Sequence, residues 1–215
     1  NSFFVIEGIE GSGKNTTATL LEEKMRGMGY PVSKISFPQY GAKSAGPVEA
    51  YLNEEIAPIH TFDTYAASLF YAVDRAFARF KIEEMLQRGI VIADRYVSSN
   101  AGHQGSKISD PPQREKFLRW LYDIEYNILH VPRPAKTILL LLPPEIAARR
   151  KHAQRAKQQT ALDGLERDTE HLRQSAATYR WLAQTYPSDF VVIETVRGAK
   201  ELTPHEVLEE IWQEV

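Results

Sequence analysis

Five short apolar runs are spread along the chain, and most of them lack the polar alternation of a strand with one solvated face. Strands that are buried on both faces have this character, because neither side of the sheet meets water. The pattern therefore predicts five strands, at residues 3–6, 32–37, 90–93, 137–142 and 190–193.

Helical patterns lie between these runs. In the first, apolar residues recur every three or four positions, and a glycine follows as a stop signal: Ala18, Leu21, Met25, Met28 and then Gly29. Further helices are predicted at 61–88 with Thr61 as N-cap, at 111–129, 144–153 and 165–186, and at 203–212 with Thr203 as N-cap and Pro204 at the first helical position. Strands that alternate with helices indicate an α/β fold with a parallel sheet covered on both faces.

Composition narrows the class of protein. A chain of 215 residues with 43% apolar and 25% charged residues is expected to form one compact domain, 1–215. Its net charge of −2 gives no support for nucleic-acid binding, and no apolar run approaches the roughly 20 residues of a membrane span. The absence of cysteine excludes disulfides, thiolate nucleophiles and cysteine-based zinc sites. We see no signal peptide, so a cytoplasmic location is expected.

A glycine-rich loop follows the first predicted strand directly. Residues 8–16 read Gly-Ile-Glu-Gly-Ser-Gly-Lys-Asn-Thr, which matches glycine, four residues and Gly-Lys at the turn from a strand to a helix. Such a loop points successive backbone N–H groups inward, and the helix adds its positive end, so that together they cradle the phosphates of ATP. We expect Lys14 to reach the β- and γ-phosphates. Asn15 stands where Ser or Thr usually meets Mg²⁺, so either its amide oxygen or another group holds the ion.

Asp94 and Arg95 end the third predicted strand, where an ATPase commonly has Asp-Glu. A GTPase is disfavoured as well, because no lysine follows an Asn or Thr in this chain, as guanine recognition would need. Asp94 can hold Mg²⁺ or its waters, and Arg95 can clamp a second phosphate with two parallel hydrogen bonds; a surface ion pair is the alternative interpretation. Two phosphate-binding elements at the carboxyl ends of strands favour phosphoryl transfer between substrates over hydrolysis.

Five segments in order along the chain resemble the thymidylate kinase family. They are EGIEGSGK at 7–14, FPQYG at 37–41, LFYAVDR at 69–75, DRYVSSN at 94–100 and DGLERD at 163–168. The resemblance implies a P-loop kinase three-layer fold with a five-stranded parallel sheet, a dTMP-binding region at about 37–104, a lid at about 149–164 and usually a homodimer. It also implies transfer of the γ-phosphoryl group of ATP to dTMP, with Mg²⁺, to give dTDP and ADP.

The same resemblance assigns dTMP-binding residues by position. Tyr71 falls where the family stacks an aromatic ring on thymine, with the adjacent Phe70 as the alternative. Arg75, oriented by Asp74, is expected to donate to a thymine carbonyl, and Asn100 to pair with the base edge. His103 falls near the 2′ side of the sugar, where it can reject ribose or simply be solvated. Further contacts are expected from Phe37, Pro38, Tyr40, Arg95, Ser99 and Gln104.

The donor side and the lid are assigned in the same way. ATP is expected to contact Glu10, Gly11, Ser12, Gly13, Lys14, Asn15, Thr16 and Arg149, and the candidate Mg²⁺ ligands are Glu10, Asn15 and Asp94. Gly11 stands where some family members carry an arginine, so the cation that stabilises the transition state is expected from Arg149, Arg150 or Arg155. Residues 152–163 are polar, with few apolar anchors, and are expected to be mobile or ordered by a ligand; Asp163 and Glu166 are expected to anchor this lid or Arg95.

Two alternative functions stay open at this point. One is a kinase for another monophosphate, such as UMP or dCMP, which is favoured if Asn100 and Arg75 do not contact the base. The other is a catalytically silent nucleotide-binding subunit, which Asn15 suggests and the retention of Lys14, Asp94 and Arg95 opposes.

Overall fold

A computed structural model describes residues 2–158 and 165–214, without the side chains of 154–158 and 165–168. The central strands are β1 (Phe3–Glu7), β2 (Val32–Ser36), β3 (Ile90–Asp94), β4 (Lys136–Leu141) and β5 (Phe190–Glu194). They form one sheet in the order β2-β3-β1-β4-β5, and every pairing is parallel. The predicted five-stranded parallel sheet is confirmed.

Helices connect the strands. They are α1 (Lys14–Gly27), α2 (Gly46–Leu52), α3 (Thr64–Arg88), α4 (Val97–His103), α5 (Pro111–Tyr122), α6 (Pro144–Gln158), α7 (Leu165–Thr185) and α8 (Pro204–Glu214). A small antiparallel hairpin, β6 (Val196–Arg197) and β7 (Lys200–Glu201), precedes α8. Across the residues that the structure describes, no helix is both long and apolar enough to cross a membrane. The sequence pattern did not predict α2 and α4, because seven residues are too few to show a helical period.

The helix starts test the capping predictions. Thr61 as the cap of α3 is wrong: Asp63 caps the helix and accepts a hydrogen bond from the Ala66 N–H at 2.8 Å, while the Thr61 hydroxyl donates to Pro58 O. Asp fits this position because its carboxylate accepts an N–H that the first turn leaves unpaired. Thr203 is confirmed as a cap, since its hydroxyl oxygen accepts from Glu206 N and the Glu206 carboxylate accepts from Thr203 N.

Two predicted helix ends need correction. The helix predicted at 111–129 ends at Tyr122, and a π-helical turn, Asp123–Ile128, follows it. This wider turn carries Glu125 into the interior, where it is fully buried. The helix predicted to end at residue 153 continues to 158, so the first half of the polar segment 152–163 is helical.

The sheet separates two apolar cores because alternate strand residues point to opposite faces. On one face, Phe3 and Val5 of β1 pack with residues of α3, α4, α5 and α7. On the other, Ile6 packs with α1 and α8. The helices therefore cover both faces, as the unalternating apolar runs predicted.

Strand register positions the candidate site. In the parallel pairing of β1 with β3, Ile6 lies opposite Asp94. The loop that follows β1 and the Asp94-Arg95 pair that ends β3 therefore leave the sheet side by side, at its carboxyl edge.

Candidate active site

The loop between β1 and α1 has the conformation that its glycines permit. Gly8 has φ 144°, and a Cβ at this position would lie 2.6 Å from the carbonyl oxygen of Leu140, so only glycine fits. Lys14 is the first residue of α1, and its Nζ donates across the loop to Ile9 O at 2.8 Å. The side chain of Lys14 is therefore folded over the loop, and it is buried.

The surroundings of Lys14 disfavour its charge. Burial, with the nearby charge of Arg95 adding to it, lowers the pKa of Lys14 to about 7, while Glu7, Asp94 and Glu10 oppose this shift. Two cationic side chains thus share a partly desolvated region. An anion bound between them would relieve the repulsion.

Asp94 lies beside these cations. Burial raises the pKa of Asp94, and the charges of Lys14 and Arg95 oppose the rise. Its Oδ1 atom is buried and has no hydrogen-bond partner among the described residues. Such an acceptor is costly unless something pairs with it, so Asp94 is a candidate to bind a cation or its water.

Arg95 has an unusual backbone. Its φ is 67°, in the left-handed region that side-chain-bearing residues rarely occupy, and its N–H donates to Ile6 O at 3.1 Å. Backbone strain of this kind persists only where the surrounding structure fixes it. The guanidinium donates to Nε2 of His103 at 3.0 Å.

Glu7, the last residue of β1, is a fully buried hydrogen-bond acceptor. Its carboxylate accepts from Tyr96 N at 3.0 Å, from the Ser99 hydroxyl at 2.8 Å and from the Tyr179 hydroxyl at 2.8 Å, and Ser98 also donates to it. Ser99 was expected to face the base, but here its hydroxyl is bonded to Glu7. No local signal could have revealed Tyr179, which lies 172 residues from its partner.

A loop that follows β2 forms a wall beside Arg95. The Phe37–Pro38 peptide bond is cis, the Phe37 N–H donates to Asp94 O at 3.0 Å, and the Phe37 ring lies 5.6 Å from the ring of Tyr96. Asp74 anchors the next part of the loop, since its carboxylate accepts from Gln39 N at 2.8 Å and from the Ser44 hydroxyl at 2.6 Å. Asp74 therefore orients this loop rather than Arg75. Tyr40, in the same loop, has an exposed side chain.

Arg75 is oriented by a residue that sequence reasoning missed. Its Nε lies 3.0 Å from both carboxylate oxygens of Glu125, its Nη2 forms an ion pair with the same carboxylate, and its Nη1 lies 3.4 Å from Tyr96 O. Both members of the pair are buried. The structure thus places Arg75 in the core, where the Glu125 charge balances its own.

The two candidate stacking rings have different surroundings. Phe70 packs in an aromatic group with Tyr51 and Phe62, at centroid distances of 6.3 and 5.6 Å. Tyr71 lies at the edge of this group, with its ring 6.3 Å from that of Tyr51, and Tyr40 and Arg95 are among the groups that act on it electrostatically. Burial raises the pKa of Tyr71, with Tyr51 and Tyr40 adding to the effect. These surroundings favour Tyr71 as the ring beside Arg95.

Helix α4 and the residue after it contribute two buried amides. Asn100 Nδ2 donates to Ser68 O at 3.0 Å. Gln104 Oε1 is buried and has no partner among the described residues. It is therefore an acceptor that a donor on a ligand could satisfy.

Two of the predicted lid arginines, Arg149 and Arg150, lie near the glycine loop and the hairpin β6–β7. Arg150 donates to Gly11 O, and both Arg149 and Arg150 form ion pairs with Glu201 of β7. Lys151 forms an ion pair with Glu10 at 2.8 Å, while Asn15 and Thr16 are exposed at the start of α1. Asp163 lies outside the described residues, as do the side chains of Arg155 and Glu166.

Comparison with known proteins identifies the family. The family model described as thymidylate kinase matches residues 6–204. The chain belongs to the thymidylate kinase family. A thymidylate kinase of Mycobacterium tuberculosis is 33% identical, over 83% of this chain and 84% of that protein. One of Nitratidesulfovibrio vulgaris is 30% identical, over 99% of this chain and 95% of that protein.

Solved structures support the fold. The thymidylate kinase of Candida albicans has a TM-score of 0.72 at 20% identity and covers 99% of this chain and 90% of its own. That of Ehrlichia chaffeensis has a TM-score of 0.66 at 21% identity, over 98% of this chain and 96% of its own. The three-layer P-loop kinase fold of the thymidylate kinase family is thereby confirmed.

The pKa of Lys14 generates a prediction about proton uptake. With a pKa of about 7, Lys14 is mostly neutral at pH 8 in the free protein. Binding of anionic phosphates raises the pKa of a neighbouring lysine, so ATP binding at pH 8 should take up close to one proton. At pH 6, where Lys14 is already charged, this uptake should nearly vanish.

Titration calorimetry in buffers of different ionisation enthalpy measures the uptake directly. The Lys14→Arg variant is the matched control, because arginine stays protonated at both pH values and should show no such uptake. Equal proton uptake by the parent and the Lys14→Arg protein at pH 8 would contradict the lowered pKa.

Proposed function

We infer that this protein transfers the γ-phosphoryl group of ATP to dTMP and releases dTDP and ADP. The observation that carries this inference is the pair of cations that follow adjacent strands, Lys14 after β1 and Arg95 after β3, in a chain of the thymidylate kinase family. Because β1 and β3 are neighbouring parallel strands, the two cations leave the sheet at the same edge, which suits two phosphates that react with each other. We place the reaction in the cytoplasm, where ATP is available.

On the donor side, we propose that the backbone N–H groups of residues 10–16 bind the ATP phosphates and that Lys14 neutralises the β- and γ-phosphates. The positive end of α1 adds to this attraction. Arg149 and Arg150, which lie near the loop, complete the donor site.

On the acceptor side, we propose that Arg95 holds the dTMP phosphate and Tyr71 stacks on thymine. Arg75, Asn100 and Gln104 supply polar contacts to the base. Phe37, Pro38 and Tyr40 form the wall near the base and sugar, His103 lies behind Arg95, and Ser99 supports the site through Glu7. The proposal for Gln104 rests on its unpaired buried oxygen, which matches a donor group on the base.

Mg²⁺ fits the residues present. The described residues contain no group of three or more His, Asp or Glu that could hold a metal ion alone. Magnesium in kinases, however, is held by one or two carboxylates together with substrate phosphates and water. Asp94, with its unpaired buried oxygen, is the proposed ligand, and Glu10 and Asn15 are further candidates. When bound, Mg²⁺ supplies charge neutralisation at the phosphates.

The reaction needs no nucleophile from the protein. An oxygen of the dTMP phosphate forms a bond to the γ-phosphorus while the bond from this phosphorus to the ADP oxygen breaks. Catalysis then consists of alignment and charge stabilisation. Lys14 and Arg95, which follow the neighbouring strands β1 and β3, hold the two reacting phosphates, and burial of the region strengthens both interactions.

Substrate choice tests the proposed function. We expect the highest kcat/KM for dTMP in a coupled assay of ADP release with dTMP, dUMP, UMP, dCMP, CMP, dGMP and AMP as acceptors. Loss of one methyl contact alone is worth roughly 10- to 200-fold, and UMP also adds a hydroxyl to the sugar. A protein that used dTMP and UMP equally well would overturn the assignment of dTMP. Slow ADP release without any acceptor is the control that separates transfer from hydrolysis.

The contacts of α6 favour one of its arginines as the cation that stabilises the transition state. Gly11 carries no charge, but Arg150 donates a hydrogen bond to its carbonyl oxygen and therefore lies against the glycine loop. Arg149 is more exposed, at 69% of its side chain against 39% for Arg150. We therefore propose Arg150 as the cation that contacts the transferred phosphoryl group.

Replacement of this cation should affect chemistry and not acceptor binding. We expect Arg150→Ala to lower the single-turnover rate by about 10³-fold or more at saturating ATP and dTMP, with dTMP affinity nearly unchanged. Arg173→Ala, which removes an exposed arginine of α7 paired with Glu145 and Glu170, is the matched control. Arg149→Ala and Arg155→Ala test the other two arginines of α6 in the same assay. If all three variants react within about threefold of the parent, no arginine of α6 has this role.

We propose that the protein is a homodimer that pairs through α3. Large apolar side chains line one face of this helix at spacings of four, four and three residues: Leu69, Val73, Phe77 and Phe80. Phe77 and Phe80 are 72% and 71% exposed. A contiguous exposed apolar stripe of this kind marks an interaction surface, and a second copy presents the same stripe in a two-fold pairing.

Charge on this stripe should separate the subunits. The Phe77→Glu/Phe80→Glu protein should sediment as a monomer of the 24.5 kDa chain, whereas the parent sediments at twice that mass. Met28→Glu, which changes another exposed apolar side chain at the end of α1, should remain dimeric. A parent protein that is monomeric at micromolar concentration would refute the proposed pairing.

A further inference from the structure

His103, at the end of α4, lies directly behind the guanidinium of Arg95. We propose that His103 is a positioning residue: its neutral imidazole accepts a hydrogen bond from Arg95 and aims the guanidinium at the acceptor phosphate, while His171 and Ser175 of α7 fix the imidazole. The proposal rests on the proposed function in one respect, the role of Arg95 as the phosphate clamp.

The hydrogen bond to Arg95 determines which nitrogen of His103 carries the proton. The guanidinium has only donors, so Nε2, at 3.0 Å from Nη1, must be an unprotonated acceptor. The single proton of a neutral imidazole then lies on Nδ1. Two groups that can accept its hydrogen bond face that atom, the Ser175 hydroxyl at 3.3 Å and Nε2 of His171 at 3.4 Å. The surroundings on both sides of the ring therefore agree on one tautomer.

The ring is also held by packing. It stacks on His171 at a centroid distance of 5.5 Å and meets the ring of Tyr179 edge-on at 5.6 Å. Behind it, the Ser106 hydroxyl donates to His103 O at 2.8 Å and lies 3.4 Å from the Ser175 hydroxyl. Contacts from α7 and from the turn after α4 thus leave the imidazole little freedom to rotate.

Electrostatics keep the imidazole uncharged. Burial lowers the pKa of His103 well below its ordinary value, and the positive charge of Arg95 lowers it further, followed by His171, Lys14 and Lys107. A neutral partner has a specific advantage here. A carboxylate in the same place would orient Arg95 equally well, but it would cancel the charge that attracts a phosphate and compete with it for the same donors.

This geometry gives His103 a different task from the rejection of ribose. The Nε2 atom that could face a sugar hydroxyl is already engaged by Arg95. The two roles can be told apart by experiment. Positioning of Arg95 affects how the phosphate of the acceptor is bound, whereas rejection of ribose depends on the substituent at the 2′ carbon of the sugar.

A pair of substitutions isolates the acceptor atom. His103→Phe keeps an aromatic ring between His171 and Tyr179 but removes the acceptor, whereas His103→Gln restores an acceptor oxygen near the position of Nε2. We expect His103→Phe to weaken dTMP binding by about 10-fold or more, as for loss of a hydrogen bond to a charged group, and His103→Gln to recover most of that loss. Thymidine, which lacks the phosphate, should bind the parent and both variants alike, and this also reports that the site remains folded.

Variants of Arg95 separate failure of this proposal from failure of the proposed function. Arg95→Ala should weaken dTMP binding but not thymidine binding, and adding His103→Phe to Arg95→Ala should have no further effect, because the histidine acts through the arginine. If Arg95→Ala leaves dTMP affinity unchanged, the assigned role of Arg95 is wrong. If Arg95→Ala weakens dTMP binding and His103→Phe does not, or if His103→Phe mainly improves the use of UMP relative to dUMP, the positioning role of His103 is overturned and the phosphate clamp stands.

Discussion

The buried carboxylate of Glu7 is the interaction on which the site geometry depends. A charge removed from water is tolerated only when donors surround it, and loss of one partner leaves the charge uncompensated. Glu7 meets this requirement with donors from the segment that follows β3 and from α7. Because Glu7 directly precedes the glycine loop, its carboxylate fixes the position of this loop relative to the segment that carries Arg95.

Tyr179 links Glu7 to α4, so that the position of this helix also depends on the buried carboxylate. A Cβ on Gly102 would lie 2.4 Å from Cζ of this tyrosine, so the backbone of α4 packs directly on the ring. The hydroxyl of Tyr179 donates to Glu7, and its ring lies nearly perpendicular to that of His103 at 5.6 Å. The position of His103, and through it that of Arg95, therefore follows from how closely α4 and α7 pack over Glu7.

The features that were predicted correctly from the sequence are those encoded by residues close together in the chain. Four of the five strands are nearly continuous apolar runs, with β2 (VSKIS) the exception, and the glycine loop is defined by residues within a single turn, so these features could be recognised without knowledge of the fold. The partners that orient the site are distant in sequence. Glu125 lies 50 residues from its partner Arg75, in a π-helical turn that the hydrophobic periodicity of the sequence does not predict. Thr61 and Asp63 are both good N-cap residues two positions apart, and only the path of the chain into α3 decides between them.

Arg75 and Arg95 have partners of different charge. Arg75 is buried and paired with the Glu125 carboxylate, so its charge is balanced and it can offer a ligand only directed donors. This suits a proposed contact with thymine, which is neutral, because an unbalanced buried cation beside it would be costly. Arg95 instead has a neutral imidazole as its partner and keeps its charge. A phosphate can compensate that charge, so occupation of the acceptor site by a nucleoside monophosphate would lower the electrostatic cost that Lys14 and Arg95 impose on each other in the empty protein.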